Sequence, residues 1–324
     1  MERISVNVVN ILALQQISGI GAAWVVKHIK GGESCGQIVE MVNATRKSQI
    51  ISVQGFTAKR ERVLKRLARE SASFDFAVAF CDDDWSYYVA DVRSAQMPLV
   101  LFCRGNVGLL RGNTANVAVI GTQTPEPDSS AFERVLVEKL TSHNVCIVSG
   151  LAYGCDSIAH QVAVDNIVST IAFLPSPLSN ILPMGNRDLA EQIVANGGLL
   201  VSEYCDEPES RYELNGRYAE RDRLQAMFSK VVVLASGYQK NVGGRAGGSR
   251  LAMRYAKEYG RLRAVVYDNV LHAERLDFGL NRDILTNDSS VISIDERNID
   301  ATIDRIVSEC HKNSVKSRQL ELLL

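Results

Sequence analysis

VCIVSGLAYGCD (residues 145–156) is an apolar, β-branched run that breaks into a glycine turn and opens a helical pattern over 156–166. A strand that is continuously apolar has both faces covered, so it belongs in a parallel sheet beneath helices. The same unit recurs on either side. FAVAF (76–80), PLVLF (98–102), NVAVIG (116–121), STIAFL (169–174), LLVSEY (199–204), KVVVLA (230–235), RAVVYD (263–268) and VISI (291–294) read as strands. Helical patterns at 131–143, 186–195, 218–228, 249–259 and 299–310 lie between or after them. The expected fold is therefore α/β: a Rossmann-like, doubly wound, mostly parallel sheet.

Upstream the period differs. Residues 1–73 read as a helical domain, in which Val8, Ile11, Leu12 and Leu14 recur at helical spacing. A basic helix over 56–70 sets Val63, Leu64 and Leu67 among Lys59, Arg60, Arg62, Lys65, Arg66 and Arg69. Its charges read as a solvated face or as a second DNA site. Leu14-x-x-Ile17-Ser18-Gly19-Ile20-Gly21 matches a helix-hairpin-helix turn (SAM-like), and a plain turn between packed helices is the simpler reading. The expected division is a helical domain 1–73, a Rossmann-like domain 74–312 and a polar tail 313–324.

The length of 324 residues easily supports a buried core, and the net charge of −1 excludes a protein that coats nucleic acid indiscriminately. Seven cysteines form no CxxC pair and read as buried thiols of a reducing cytoplasm, not as a disulfide frame or zinc site. There is no signal-peptide pattern and no apolar run of membrane-spanning length, so a cytoplasmic protein without membrane association is expected.

Charge is nevertheless uneven. Between positions 211 and 263 stand twelve Lys and Arg against Glu213, Glu220, Asp222 and Glu258. The excess includes Arg217, Arg221 and Arg223 and borders the loop GGRAGGSR (243–250). Cations beside exposed backbone amides suit a phosphate, and a helical face with ordinary solvated charges is the plainer reading. In open α/β sheets, ligands sit outside the carboxyl ends of the strands, where loops lead into helix N-termini. Those ends supply Gly121, Thr122, Gln123, Ser149, Gly150, Tyr153, Gly154, Gly248, Ser249 and Arg250. With Arg217, Arg221 and Arg223 they are the candidate DNA or phosphate site. No catalytic residue, metal or cofactor is expected. His160 has no nucleophile with an orienting acid near it and reads as a packed or capping histidine. Asp156 reads as a helix N-cap. Glu203 reads either as a ligand-orienting carboxylate or as a partner of Arg221. Arg221 and Arg223 themselves read as phosphate contacts, or as a surface pair bridged to Glu220 or Asp222.

Ordered motifs then connect most of the chain to one family. Pro98-x-x-Leu101-Phe102-x-x-Gly105-Asn106, Gly121-Thr122 and Ser149-Gly150-Leu151-Ala152-x-Gly154-x-Asp156-x-x-Ala159-His160 come first. Pro183-x-x-Asn186-x-x-Leu189, Ser202-Glu203-Tyr204, Arg221-x-Arg223, Gly248-Ser249 and Gly279-x-Asn281-x-x-Ile284-Leu285 follow. The chain resembles the DNA-processing protein A (DprA, also called Smf) family, as a diverged member. The resemblance implies a non-enzymatic protein that binds single-stranded DNA on the Rossmann-like domain, often as a homodimer. It further implies loading of the recombinase RecA during natural transformation.

This chain departs from the family's pattern at four places. GTR is GTQ here (Gln123), GLARG is GLAYG (Tyr153), RNR is RDR (Asp222), and the often basic position after Pro183 is Met184. Each change removes or opposes positive charge. Tyr153 stacking on a base, and Lys240 and Arg245 in a lengthened loop over 237–247, are possible compensations. The short end after Cys310 is expected to carry no winged-helix domain of the kind that the resemblance implies for some members. The rival reading is a nucleotide sensor or nucleotide hydrolase of the same superfamily. Against hydrolysis, the stretch GGRAGGSRLAMR has Arg254 and no glutamate before Glu258, and no GxxxxGK[ST] loop is present.

Overall fold

The computed structural model describes residues 3–45, 50–83, 92–111, 114–239 and 248–321. Lys240 and Arg245 lie outside the described residues. Four helices open the chain: α1 (Val6–Gln15), α2 (Ala22–His28), α3 (Cys35–Thr45) and α4 (Val53–Glu70). Ser5 caps α1 by accepting from the Val8 amide, and Ser52 caps α4 by accepting from Gly55.

All nine strands expected from the apolar runs form. They are β1 (Phe76–Ala79), β2 (Val100–Gly105), β3 (Asn116–Ile120), β4 (Cys146–Ser149), β5 (Thr170–Leu174), β6 (Leu199–Ser202), β7 (Val231–Leu234), β8 (Leu262–Val266) and β9 (Ile292–Ile294). They build one sheet in the order β1-β2-β6-β5-β4-β3-β7-β8-β9. Strands β3 to β9 pair in parallel, whereas β2 runs antiparallel to both β1 and β6. The strand order reverses between β3 and β7. Their carboxyl ends are thus the switch point at which an open α/β sheet offers its crevice.

Helices α5 (Pro127–Ser142), α6 (Cys155–Asp165), α7 (Arg187–Ala195), α8 (Arg211–Met227), α9 (Gly248–Glu258), α10 (Gly279–Asn287) and α11 (Ile299–Glu321) complete the fold. Helix α8 begins seven residues before the expected start. Ser210 accepts from the Glu213 amide while Glu213 reaches back to the Glu209 amide at 2.8 Å, a reciprocal cap that the S-x-x-E spacing encodes. Helix α11 runs on to Glu321, past the expected end at 310. Among the described residues, no helix is long and apolar enough to cross a membrane.

The two-residue alternation of the strands sorts the core into two clusters. Leu199 and Val201 join one cluster, with side chains of α5, α6, α9 and α11, while Leu200 joins the other. That second cluster holds Phe102, Leu174, the α7 residues Leu189 and Ile193, and the buried side chains of α1–α4, including Phe56 and Leu67. The N-terminal helices therefore cover the sheet face formed by β1, β2, β6 and β5.

Candidate nucleic-acid interface

Two turns meet at the carboxyl edge. After β3, the Thr122 amide donates to Ser236 O (2.9 Å), which ties the Gly121-Thr122-Gln123 turn to the end of β7. After β4, the turn Gly150 to Gly154 folds back so that the Cys155 amide donates to Thr122 O (3.0 Å). Gly154 has φ +74°, and a Cβ there would lie 2.4 Å from Thr122 O, so only glycine lets the two turns stack. Leu151 also takes a positive φ of 60°. Asn186 holds this turn: its Nδ2 donates to Leu151 O (2.7 Å) and Ser157 Oγ (2.8 Å). The motif Pro183-x-x-Asn186 carries that clamp, a role the sequence reading did not give it.

The surface of these turns is exposed at Gln123, Thr124, Tyr153, Met184 and Gly185. Tyr153 is 50% exposed and Met184 65%. The Tyr153 ring lies against Gly185, where a Cβ would come within 2.8 Å of its Oη. Three of the four departures from the family pattern, Gln123, Tyr153 and Met184, thus belong to one crest. The fourth, Asp222, lies beneath it.

The arginine cluster is not an open cationic wall. Arg217, Arg221 and Arg223 are 5%, 5% and 6% exposed, and each guanidinium has carboxylate partners. Arg217 donates to Glu213 Oε1 and to Asp206 O, both at 2.6 Å, and sits 4.1 Å over the Tyr204 ring. Arg223 pairs with Glu203 at 2.7 Å and with Glu220 at 3.2 Å. Arg221 lies 3.4 Å from both Asp156 Oδ2 and Asp222 Oδ1. Glu203 therefore pairs with Arg223 and not with Arg221. Three other cations of the 211–263 stretch behave alike. Arg250 pairs with Asp283, and Arg263 and Lys257 share Asp288. The buried guanidinium groups of this stretch are thus balanced by carboxylates, several of them from distant segments, as burial of a charge demands.

Several other candidates turn inward. Ser149 is wholly buried and donates to Val119 O at 2.7 Å. Ser249 donates to Gly121 O at 2.9 Å, so α9 begins on the first turn. A Cβ at Gly248 would approach Asp222 Oδ2 to 3.1 Å. Asp156 is in the first turn of α6, whose N-cap is Gly154; its carboxylate accepts from the Ala152 amide and from Arg221. His160 is fully buried, with Nδ1 2.8 Å from Thr170 Oγ1. Burial, helped by Arg221, holds its pKa down at about 3. Burial pushes Asp222 up to about 7, against the pull of Arg221 and with the Asp156 carboxylate adding to the rise.

The model of the DNA recombination-mediator protein A family matches residues 76–296, which include the whole carboxyl edge. The chain belongs to that family. Protein Smf of Synechocystis is 33% identical over 151 residues, 47% of this chain and 35% of the relative. DNA processing protein DprA of Streptococcus pneumoniae is 29% identical over 195 residues, 60% of this chain and 64% of the relative. The chain thus matches between about a third and two thirds of the length of these relatives. The solved structure of the S. pneumoniae protein superposes with a TM-score of 0.67 at 23% identity, covering 88% of this chain and 94% of that one, which establishes the shared fold. DNA processing protein A of Helicobacter pylori, solved for its single-stranded DNA binding mode, superposes with a TM-score of 0.55 at 28% identity. That match covers 66% of this chain and 89% of the other.

Proposed function

We propose that this protein binds single-stranded DNA along the carboxyl edge of its sheet, as a non-enzymatic recombination mediator. The observation that carries the reading is the crest itself: an exposed aromatic ring, Tyr153, set on glycine turns whose geometry admits no side chain at Gly154. A base stacked on Tyr153 places its phosphates beside the backbone of the 121–123 and 150–154 turns. Stacking is sequence-tolerant because every base has a π-face, so the site fits a strand of any sequence. Arg221, paired with Asp156 and Asp222, braces the turn from behind, while Arg217 and Arg223 hold α8 against the end of β6. With Gln123, Tyr153 and Met184 on the crest, stacking carries more of the affinity and phosphate neutralisation less.

Loading of RecA on the bound strand, assembly as a homodimer and residence in the cytoplasm belong to the same proposal. Family membership supports the first two, and seven unbridged cysteines suit a reducing compartment. His160, fully buried against Thr170 Oγ1, takes no part in this reading. Fluorescence anisotropy with oligo-dT over a salt series tests it. Binding that weakens only shallowly with salt is expected, and no binding at low salt would refute it.

A further inference from the structure

Helix α4 carries a one-sided charge that the crest does not use. At about 100° per residue, Phe56, Val63 and Leu67 define its buried face. Lys59, Arg62, Lys65, Arg66 and Arg69 then fall within an arc of about 120° on one flank, and neither Glu61 nor Glu70 falls inside it. Arg62, Lys65 and Arg69 are exposed and have no ion pair or hydrogen bond among the described residues. The inner members fix where the flank faces. Arg66 pairs with Asp206 at 2.9 Å, just beyond β6, and Lys59 donates to Gln16 O in the α1–α2 turn at 3.2 Å. Between them opens a cleft of about 420 Å³ lined by Gln16, Arg66, Arg217 and Arg223 and by the paired acids Glu203, Asp206 and Glu220. Glu203 follows β6, on the same sheet edge as the crest and two strand spacings from β4, about 10 Å away. Crest, cleft and flank are therefore contiguous.

We propose that the α4 flank is a second contact for the sugar–phosphate chain of the same DNA strand, which leaves the crest over β6 and runs along Arg62, Lys65 and Arg69. The proposal rests on the crest reading above. Unpaired cations in a row, without aromatic side chains among them, suit phosphates rather than bases. In a protein of net charge −1 such a concentration is focal. The flank extends about 15 Å from Lys59 to Arg69, which only a strand longer than the crest itself can reach.

The test compares oligo-dT of about 6 and about 20 nucleotides, the first filling the crest alone, on the full chain. The variant Arg62→Ala/Lys65→Ala/Arg69→Ala alters exposed side chains, and its fold is checked by circular dichroism. We expect unchanged affinity for the short oligonucleotide, at least a tenfold loss for the long one, and a salt slope shallower by about 2 for the long one. Undiminished affinity for the long oligonucleotide, or equal loss for both lengths, would overturn the proposal. Tyr153→Ala separates the two claims. If it weakens both lengths while the triple variant does nothing, the crest stands and the flank falls. If it is silent while the triple variant abolishes binding, the flank is a site by itself and the crest reading fails.

Discussion

The Arg221 guanidinium occupies the space that a side chain at Gly150 would need: a Cβ there would lie 1.4 Å from Nη1 and 2.1 Å from Cζ. The glycine after β4 is thus required by a cation behind the turn as much as by a ligand in front of it. Replacement would push Arg221 off Asp156 and Asp222, both 3.4 Å away, and leave buried carboxylates without their counter-charge. Gly150→Ala should destabilise the fold by about 1–3 kcal/mol through overpacking. DNA affinity should fall with it, since the turn that carries Tyr153 is displaced. Denaturant titration and anisotropy on the same variant check the two effects together.

Tyr153 separates stacking from charge. Because the ring is half exposed and lies on Gly185, Tyr153→Ala should leave thermal stability near that of the parent. It should cost about 1–3 kcal/mol of oligo-dT binding. Tyr153→Arg, which restores the family's GLARG, should instead steepen the salt dependence by about 0.7 in log–log slope. Parallel salt titrations of the three proteins read both effects.

Asp222 should make the proposed binding depend on pH. With its carboxyl pushed up to about 7 by burial, it is ionised at pH 8 and offsets Arg221, and it is neutral at pH 6. Affinity for oligo-dT should therefore rise as pH falls from 8 to 6 at constant ionic strength. Asp222→Asn, the family's RNR, should be tight and nearly flat across that range. The stability sign follows from the same shift. The raised carboxyl costs nothing below its unfolded value of about 3.9, and its cost grows as pH rises toward about 7.

Glu133 on α5 gives a separate pH signature in stability. It is 1% exposed, with the Cys155 thiol as its polar neighbour. Burial holds its carboxyl well above the usual range, opposed by the neighbouring Cys155 thiol and aided by Asp156. A raised carboxyl keeps its proton when folded and loses it on unfolding from about pH 4.3 upward, so the native state loses stability as pH rises. Glu133→Gln should match the parent near pH 4 and melt above it at pH 8. Calorimetric melting curves across that range test the sign.

What the sequence made legible followed from short-range physics. Continuous apolar runs located all nine strands, and glycine at strand ends located the turns. Direction was harder to read: PLVLF looks the same in a parallel or antiparallel neighbour, so nothing local revealed that β2 reverses. The start of α8 was encoded in Ser210 and Glu213, but its first turns are polar and carry no apolar period. The arginine cluster was the least legible feature. A window of sequence counts the charges near one another along the chain, whereas Arg221 meets Asp156 from 65 positions away and Arg250 meets Asp283 from 33. The crest departures were visible as residues. That three of the four share one exposed patch required the fold.

Hydrogen–deuterium exchange of the full chain, with and without oligo-dT of about 12 nucleotides, tests the central claim most directly. The account predicts that bound DNA slows exchange in the turns 121–124 and 150–155 and at 184–186, with α10 and α11 unchanged. DNA bound at saturation with exchange in those turns unaltered would contradict it.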